Sequence, residues 1–325
     1  MTDIYRIRAA AARARGRVRR TPLLSSAALD ARAGRRVWVK AECLQVTGSF
    51  KARGAWAAVS ALDAAELRRG VLAFSSGNHA QGVAWAAAAH GAPAVILMPR
   101  DAPGVKIEGT RALGAEVVLY DRLTQDRAVL GAEIAAARGL TVIPPYDHPD
   151  VIAGQGTTGL EIAADAAEAG IRAAEVLVCC GGGGLASGIA LALSAEAPGF
   201  AVRTVEPAGF DDMARSLASG GRETNAAPTG SICDAILTPR PGEITFPILQ
   251  GLAGVGLAVS DEEALRAMSL AFAHLQIVLE PGGAVALAAA LFHGGELSEG
   301  DVIAVASGGN VEARLFAEAI TLFPA

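Results

Sequence analysis

The sequence predicts an α/β fold whose parallel sheet is covered on both faces, and three observations carry that prediction. Short Val-, Ile- and Leu-rich runs alternate with Ala-rich stretches of helical length, as βαβ units require. Glycine is abundant, at 38 of 325 residues, and clusters where those runs end. Aromatic residues are 5% of a chain that is 52% hydrophobic, which argues for a large aliphatic core and against disorder. A length of 325 residues fits roughly two domains of about 100–200 residues each.

Taken in order, the elements follow from local pattern. Seven arginines between Arg6 and Arg20 read as the solvated face of an N-terminal helix; a transit peptide is the alternative, weakened by Asp3 and the lack of serine. Arg36–Cys43 reads as a strand and Ser49–Leu62 as a helix capped by Ser49. Gly70–Phe74 is a short strand, followed by the turn Ser75–Asn78 and a helix through His90. Ala94–Met98, Glu116–Tyr120, Val176–Cys180, Val202–Glu206 and Val302–Ala306 complete the expected strands. No fixed-period repeat is visible, and Pro144–Pro145 marks the expected crossing between domains.

Charge and cysteine usage exclude several function classes. A net charge of −5 lacks the basic footprint of nucleic-acid binding, and no apolar run approaches the ~18 residues that span a bilayer. Cys43, Cys179, Cys180 and Cys233 form no C-x-x-C pair or zinc spacing, and no signal-peptide pattern is present, which fits reduced thiols in a cytoplasm. The five histidines (His79, His90, His148, His274 and His293) show no metal or triad pattern, so none is assigned a catalytic role.

Four Gly- or Ser-rich turns follow predicted strands: Thr47–Gly54, Ser75–Gln81, Gly181–Gly188 and Ser307–Asn310. Open parallel sheets bind ligands at these carboxyl ends. Gly181, Gly182, Gly183 and Gly184 open a helix, where bare backbone N–H groups and the helix dipole favour a phosphate. Gly181-x-Gly183-x-x-Ala186 also satisfies the loose dinucleotide fingerprint, with Glu206 placed to bind a ribose, so a nicotinamide-dependent oxidoreductase competes. Lysine usage bears on the choice. Only Lys40, Lys51 and Lys106 occur among 28 basic residues, which singles out lysines that do what a guanidinium cannot. Lys51, flanked by Phe50 and small residues near a helix N-terminus, sits where the protonated form is disfavoured, as an imine-forming amine requires. Glu206, the Phe210 carbonyl and Asp212 are hard oxygen ligands suited to Mg²⁺ or Ca²⁺, with a solvated acidic loop as the alternative.

Thr47-Gly48-Ser49-Phe50-Lys51-x-Arg53-Gly54-Ala55, Ser75-Ser76-Gly77-Asn78-His79-Ala80-Gln81, Ala153–Thr157, Gly181–Leu185, Glu280–Ala284 and Ser307–Asn310 together resemble fold-type II pyridoxal-phosphate enzymes. The similarity is to the threonine/serine dehydratase and serine racemase group, and the motifs run in that family's order. The resemblance implies two open, twisted, mainly parallel sheets flanked by helices. It implies a large domain of residues 1–60 plus 148–325 and a small closing domain of 61–147. It implies that Lys51 carries pyridoxal 5'-phosphate, that Gly181–Leu185 hold its phosphate, that Asn78 meets the ring hydroxyl and Ser307 the ring nitrogen, and that Phe50 and Glu280 line the cofactor. Ser75, Asn78 and His79 fall on the family's carboxylate-binding loop. Ser76 stands where serine racemases place an acid–base group, and Glu206, Phe210 and Asp212 match the family's divalent-cation spacing. A phenylalanine at 210 departs from the small residue of serine racemases. A neutral serine at a ring nitrogen favours loss of a β-leaving group.

The implied reaction converts a small β-hydroxy amino acid to a 2-oxo acid and ammonia in a cytoplasmic homodimer. Threonine, serine, 3-hydroxyaspartate and an ectoine-derived amino acid stay open, since Glu42–Ser60 is also similar to the hydroxyectoine-utilisation dehydratases. Tyr146-Asp147-His148 is expected to touch the substrate side chain. The sequence runs only to Ala325, so no isoleucine feedback is expected. A racemase is the alternative activity, and a non-catalytic binding protein the alternative from another class.

Overall fold

Ten strands form two separate sheets in the computed structural model, which describes residues 2–75, 77–102, 104–121 and 123–324. The strands are β1 (Leu23–Ser25), β2 (Val37–Lys40), β3 (Val71–Phe74), β4 (Ala94–Pro99), β5 (Glu116–Tyr120), β6 (Thr141–Val142), β7 (Ala174–Cys179), β8 (Phe200–Pro207), β9 (Leu257–Val259) and β10 (Asp301–Val305). The larger sheet has the order β1-β2-β10-β7-β8-β9 and the smaller β5-β4-β3-β6. β1 runs antiparallel to β2, and the other paired strands are parallel. The expected class, two mainly parallel sheets with flanking helices, is the observed one.

Strand order places the site. The chain proceeds from β7 outward through β8 to β9, whereas β10 inserts on the other side of β7, between it and β2. The order therefore reverses at the β10–β7 boundary, the kind of switch point where a crevice opens beyond the strand ends. Three of the four turns emerge there, after β2, β7 and β10. The fourth follows β3 of the smaller sheet.

Packing follows from composition. The helix Pro281–Phe292 (PGGAVALAAALF) is apolar all round and buried for nearly its whole length, as such a helix must be. It underlies the larger sheet together with Val176–Cys180, Leu185–Ala190 and Val302–Ala306. The helix Pro149–Glu168 packs on both Gly184–Glu196 and Lys51–Val59 through close-approach glycines; a Cβ at Gly188 would sit 2.5 Å from the Gly156 nitrogen and the Ile152 carbonyl. The Lys51 helix is thus fixed against the glycine-loop helix through one shared partner.

Three expectations are corrected. The strand expected over Arg36–Cys43 stops at Lys40, and Glu42–Leu44 is a 3₁₀ turn, because the Glu42 carboxylate is drawn inward to Arg53 and Thr21. Ser49 is no helix cap: its backbone is extended and bridges Gly308, leaving Phe50 at the cap of helix Lys51–Val59 without a side-chain bond. The short strands β1, β6 and β9 were not anticipated. The arginine-rich start opens as a helix, Ile4–Ala14, which carries Arg6, Arg8 and Arg13, whereas Arg15, Arg17, Arg19 and Arg20 follow it.

Candidate active site

The turns are tied together by backbone bonds. Phe50 N donates to the Ser307 carbonyl at 3.0 Å, Gly309 N to that of Gly48 at 2.9 Å, and Cys43 N to that of Ala306 at 2.9 Å. The segment before Lys51 and the segment after β10 therefore form one rigid floor.

Lys51 projects from this floor as the first residue of its helix. Its Nζ donates to the Pro145 carbonyl at 2.8 Å and lies 5.1 Å from the Phe50 ring centroid; no carboxylate pairs with it among the described residues. Burial pulls its pKa from 10.5 down to about 8, against the opposing pull of Cys179 and Glu280. Desolvation is thus the leading cause, where the sequence pointed to the helix terminus. The other two lysines are occupied. Lys40 is fully buried between Glu161 (2.9 Å) and Asp165 (2.7 Å), and Lys106 faces Asp234 at 3.3 Å.

Asn78 begins helix Asn78–Ala89 and is almost fully buried. Its Nδ2 donates to Glu280 Oε1 at 2.5 Å, and its Oδ1 accepts from Asn310 Nδ2 at 2.7 Å. Burial first, then the nearby Lys51, hold the His79 pKa down at about 3, so the ring is neutral and donates from Nε2 to the Ile143 carbonyl at 2.8 Å. Ser75 Oγ accepts from Gly77 N at 3.1 Å, shaping the turn. Ser76 lies outside the described residues.

The glycine loop needs its glycines for space. Gly183 has φ +92°, in the left-handed region, and a Cβ at Gly182 would collide with the Tyr146 ring. Gly184 starts helix Gly184–Glu196, and Leu185 is buried behind it. Thr238 Oγ1, which a Cβ at Gly181 would approach to 3.4 Å, is buried without a partner among the described residues; so is Ser49 Oγ. An unpaired buried hydroxyl, that of Thr238, beside the glycine cradle fits a bound phosphate ester. Ser307 is buried beside Cys179, whose thiol it hydrogen-bonds; burial pushes that thiol up to about 12, so it stays neutral. A neutral hydroxyl and a neutral thiol thus flank the position implied for the ring nitrogen. The donor set suits pyridoxal phosphate: a buried amine with no carboxylate paired to it among the described residues, a glycine cradle, and a neutral hydroxyl at Ser307.

Asp147 and His148 are spent on structure. The Asp147 carboxylate accepts from the backbone nitrogens of Glu243 (2.9 Å), Ile244 (2.8 Å) and Thr245 (3.3 Å), and His148 Nδ1 caps helix Pro149–Glu168 through Asp150 N. Of that trio, Tyr146 alone faces the loop, and the expected contact of Asp147 and His148 with substrate gives way to capping. Arg127 was not foreseen. It lines a cavity of about 470 Å³ with Phe74, Ser75, Pro99, Tyr120, Gln125 and Asp126, whose carboxylate caps the following helix, beyond the carboxyl ends of β3, β4 and β5. Its charge is felt by the Tyr146 phenol, and no carboxylate pairs with it among the described residues. No local pattern marks it, since its position depends on three strands meeting.

Glu206 ends in a closed environment. Its carboxylate accepts from Met213 N (3.0 Å) and Ala214 N (2.8 Å), and burial, then Asp212, raise its pKa well above the usual range. Full burial and these bonds exclude the ribose reading. Asp212 accepts from Asn225 Nδ2 at 2.6 Å through Oδ1, while its buried Oδ2 has no partner among the described residues. Phe210 N donates to the Pro207 carbonyl at 2.9 Å, folding the loop between the two carboxylates. No cluster of three or more His, Cys, Asp or Glu side chains able to hold a metal is found among the described residues, so a cation here would depend on the Phe210 carbonyl.

Comparison with known proteins agrees with this geometry. The chain is 42% identical over 308 residues to the L-threo-3-hydroxyaspartate ammonia-lyase of a Pseudomonas species, covering 95% of each protein. Its fold matches a solved threonine deaminase, from T.th., with a TM-score of 0.90 at 44% identity, covering 95% of this chain and 99% of that one. It matches maize serine racemase with a TM-score of 0.92 at 35% identity, covering 99% and 97%. The family model for pyridoxal-phosphate dependent enzymes spans residues 14–308, from the N-terminal helix to the turn after β10, and the chain belongs to that family.

Proposed function

We propose that this protein is a dehydratase that converts a small β-hydroxy amino acid to a 2-oxo acid and ammonia, with an acidic substrate of the 3-hydroxyaspartate class preferred. The observation that carries the lyase reading is Lys51: a buried amine without a carboxylate partner, set where strand-end turns converge. The similarity to ammonia-lyases and threonine deaminase supports it. Bound at Lys51 with its phosphate on Gly181–Leu185, pyridoxal phosphate would supply an electron sink for the substrate Cα. Phe50, Asn78, Glu280 and Ser307 would line it, Ser307 meeting the ring nitrogen without a charge.

The protein's own groups account for the remaining steps. Once the substrate amine has taken its place on the cofactor, the freed Lys51 amine, desolvated and partly neutral near pH 8, would take the Cα proton. The Ser75–His79 turn, with its neutral His79, holds the substrate α-carboxylate. The β-hydroxyl would then depart as water, taking up the proton that Lys51 has removed from Cα, and hydrolysis of the released enamine yields the 2-oxo acid and ammonia. Residues 61–147 would close over the site as a small domain, the rest forming the large domain of a cytoplasmic homodimer. The racemase alternative rests on Ser76 as the acid–base group of the opposite face.

Arg127 would decide among substrates, because it lines the same cavity as Ser75 and no carboxylate is paired with it among the described residues. A hydrogen bond to a charged group contributes about 1.5–3 kcal/mol, or roughly 10–150-fold. Arg127→Gln is therefore expected to lower kcat/KM for L-threo-3-hydroxyaspartate by that factor while leaving L-serine and L-threonine nearly unchanged. Equal losses on all three substrates would remove Arg127 from substrate choice.

A divalent cation, Mg²⁺ or Ca²⁺, is proposed at Glu206, the Phe210 carbonyl and Asp212, supported by the unsatisfied Asp212 Oδ2. Such a ligand stabilises the folded state by about 2.7 kcal/mol at a hundredfold excess over Kd. EDTA should lower the melting temperature, Mg²⁺ should restore it, and Asp212→Ala should abolish the response. A wild-type protein indifferent to verified metal removal would eliminate the site.

A further inference from the structure

Neither the cofactor nor the buried ion pairs account for the third lysine. Lys106 stands on helix Gly104–Ala112, between strands of the smaller sheet, and its ammonium lies 3.3 Å from Asp234 on the 3₁₀ turn Asp234–Ile236, outside that sheet. Its side chain is 18% exposed and that of Asp234 67%, so the pair sits at the protein surface. Isolated pairs of this kind add little to stability.

The surroundings of Asp234 point to another role. Its turn packs on the start of helix Pro281–Phe292: a Cβ at Gly282 would lie 3.3 Å from Ile236 and 3.5 Å from Ala235. Two residues before Gly282 is Glu280, buried, with Asn78 Nδ2 donating to it. The far end of the same amide is held by Asn310. The Asn78 side chain therefore has one orientation for as long as Glu280 accepts from it.

Several charged or titratable groups act on Glu280. Burial is the largest influence and raises its pKa; the Asn78 hydrogen bond lowers it, Asp234 raises it, and Lys106 and Lys51 lower it, leaving it at about 7. Cys43 and Cys179 also face it, with thiols pushed up to about 12 and so uncharged near neutrality.

We propose that the Lys106–Asp234 pair is a positioning device for the site: by setting the charge beside Glu280, it sets how firmly Glu280 holds the Asn78 amide. An ionised Glu280 accepts a charge-assisted bond and fixes Asn78; a protonated Glu280 accepts more weakly and leaves the amide freer to turn. The consequence for the reaction rests on the reading of Asn78 as a cofactor-facing residue, but the charge on Glu280 is measurable without it.

Two substitutions separate this from a simple latch. K106Q and D234N break the same ion pair, yet they remove opposite charges from the neighbourhood of Glu280. The test is infrared difference titration of the protonated carboxyl band in the holoenzyme, with E280Q identifying the band. The midpoint is expected to rise by about half a pH unit in K106Q and to fall by about half a unit in D234N, with K106R unchanged. The visible spectrum of the bound cofactor should follow the same order with pH. Shifts of the same sign in both variants, or none in either, overturn the proposal. Opposite shifts in a protein that turns over no β-hydroxy amino acid would instead refute the dehydratase reading and leave this inference standing.

Discussion

Lys51→Ala is expected to lower 2-oxo acid formation by about 10⁴-fold or more, with little change in melting temperature. The asymmetry follows from what the amine does in the fold. It makes one hydrogen bond, to the Pro145 carbonyl, and sits in a site that disfavours its charge. Its loss removes a reacting group and relieves a desolvated cation, so chemistry suffers and packing does not. The variant should bind the cofactor reversibly and lose its visible absorbance on dialysis. Residual turnover within tenfold of wild type would mean that another group takes the Cα proton.

Arg53→Met, two residues further on, is expected to do the reverse and destabilise the fold by roughly 3–5 kcal/mol. Arg53 is buried and makes paired hydrogen bonds to two carboxylates, Glu42 (2.7 and 2.7 Å) and Glu161 (2.7 and 2.8 Å). Lys40 binds Glu161 and Asp165 in the same cluster, and Thr21 Oγ1 donates to Glu42. Removing the guanidinium leaves Glu42 enclosed with only Thr21 as a side-chain partner among the described residues. Arg53→Lys should recover only part of the loss, because an ammonium lacks the fork that meets two carboxylates side by side. Urea unfolding followed by circular dichroism measures both. A loss below about 1 kcal/mol for Arg53→Met would show that the cluster repacks.

These two residues mark the boundary of what the sequence alone made readable. Lys51 stood out because its identity is chemically odd in an arginine-rich chain and because it follows a strand-end turn, both local facts. Arg53 belongs to the same motif, but its partners Glu42 and Glu161 lie 11 and 108 residues away. No periodicity reports such a pairing. The same cluster explains the shortened β2 strand, since Glu42 turns inward to reach Arg53. Ser49 looked like a helix cap by type and position, yet the tertiary bridge to Gly308 held it extended. The strands β1, β6 and β9 are two or three residues long, too short for an alternating pattern to register. Arg127 and Asp147 became visible only once the topology brought separate strand ends and loops together. The strand-end turns were foreseeable because glycine and serine at those places have a direct backbone reason.

The central claim is that Lys51, of the three lysines, holds the cofactor, and the small number makes it directly measurable. Borohydride reduction of the holoenzyme, digestion and mass spectrometry of the lysine-containing peptides would locate the fixed cofactor. The account predicts a pyridoxyl adduct on Lys51, with Lys40 unmodified in its ion pairs and Lys106 unmodified opposite Asp234. An adduct on Lys40 or Lys106, or a fully pyridoxal-loaded protein in which Lys51 stays unmodified, would contradict it.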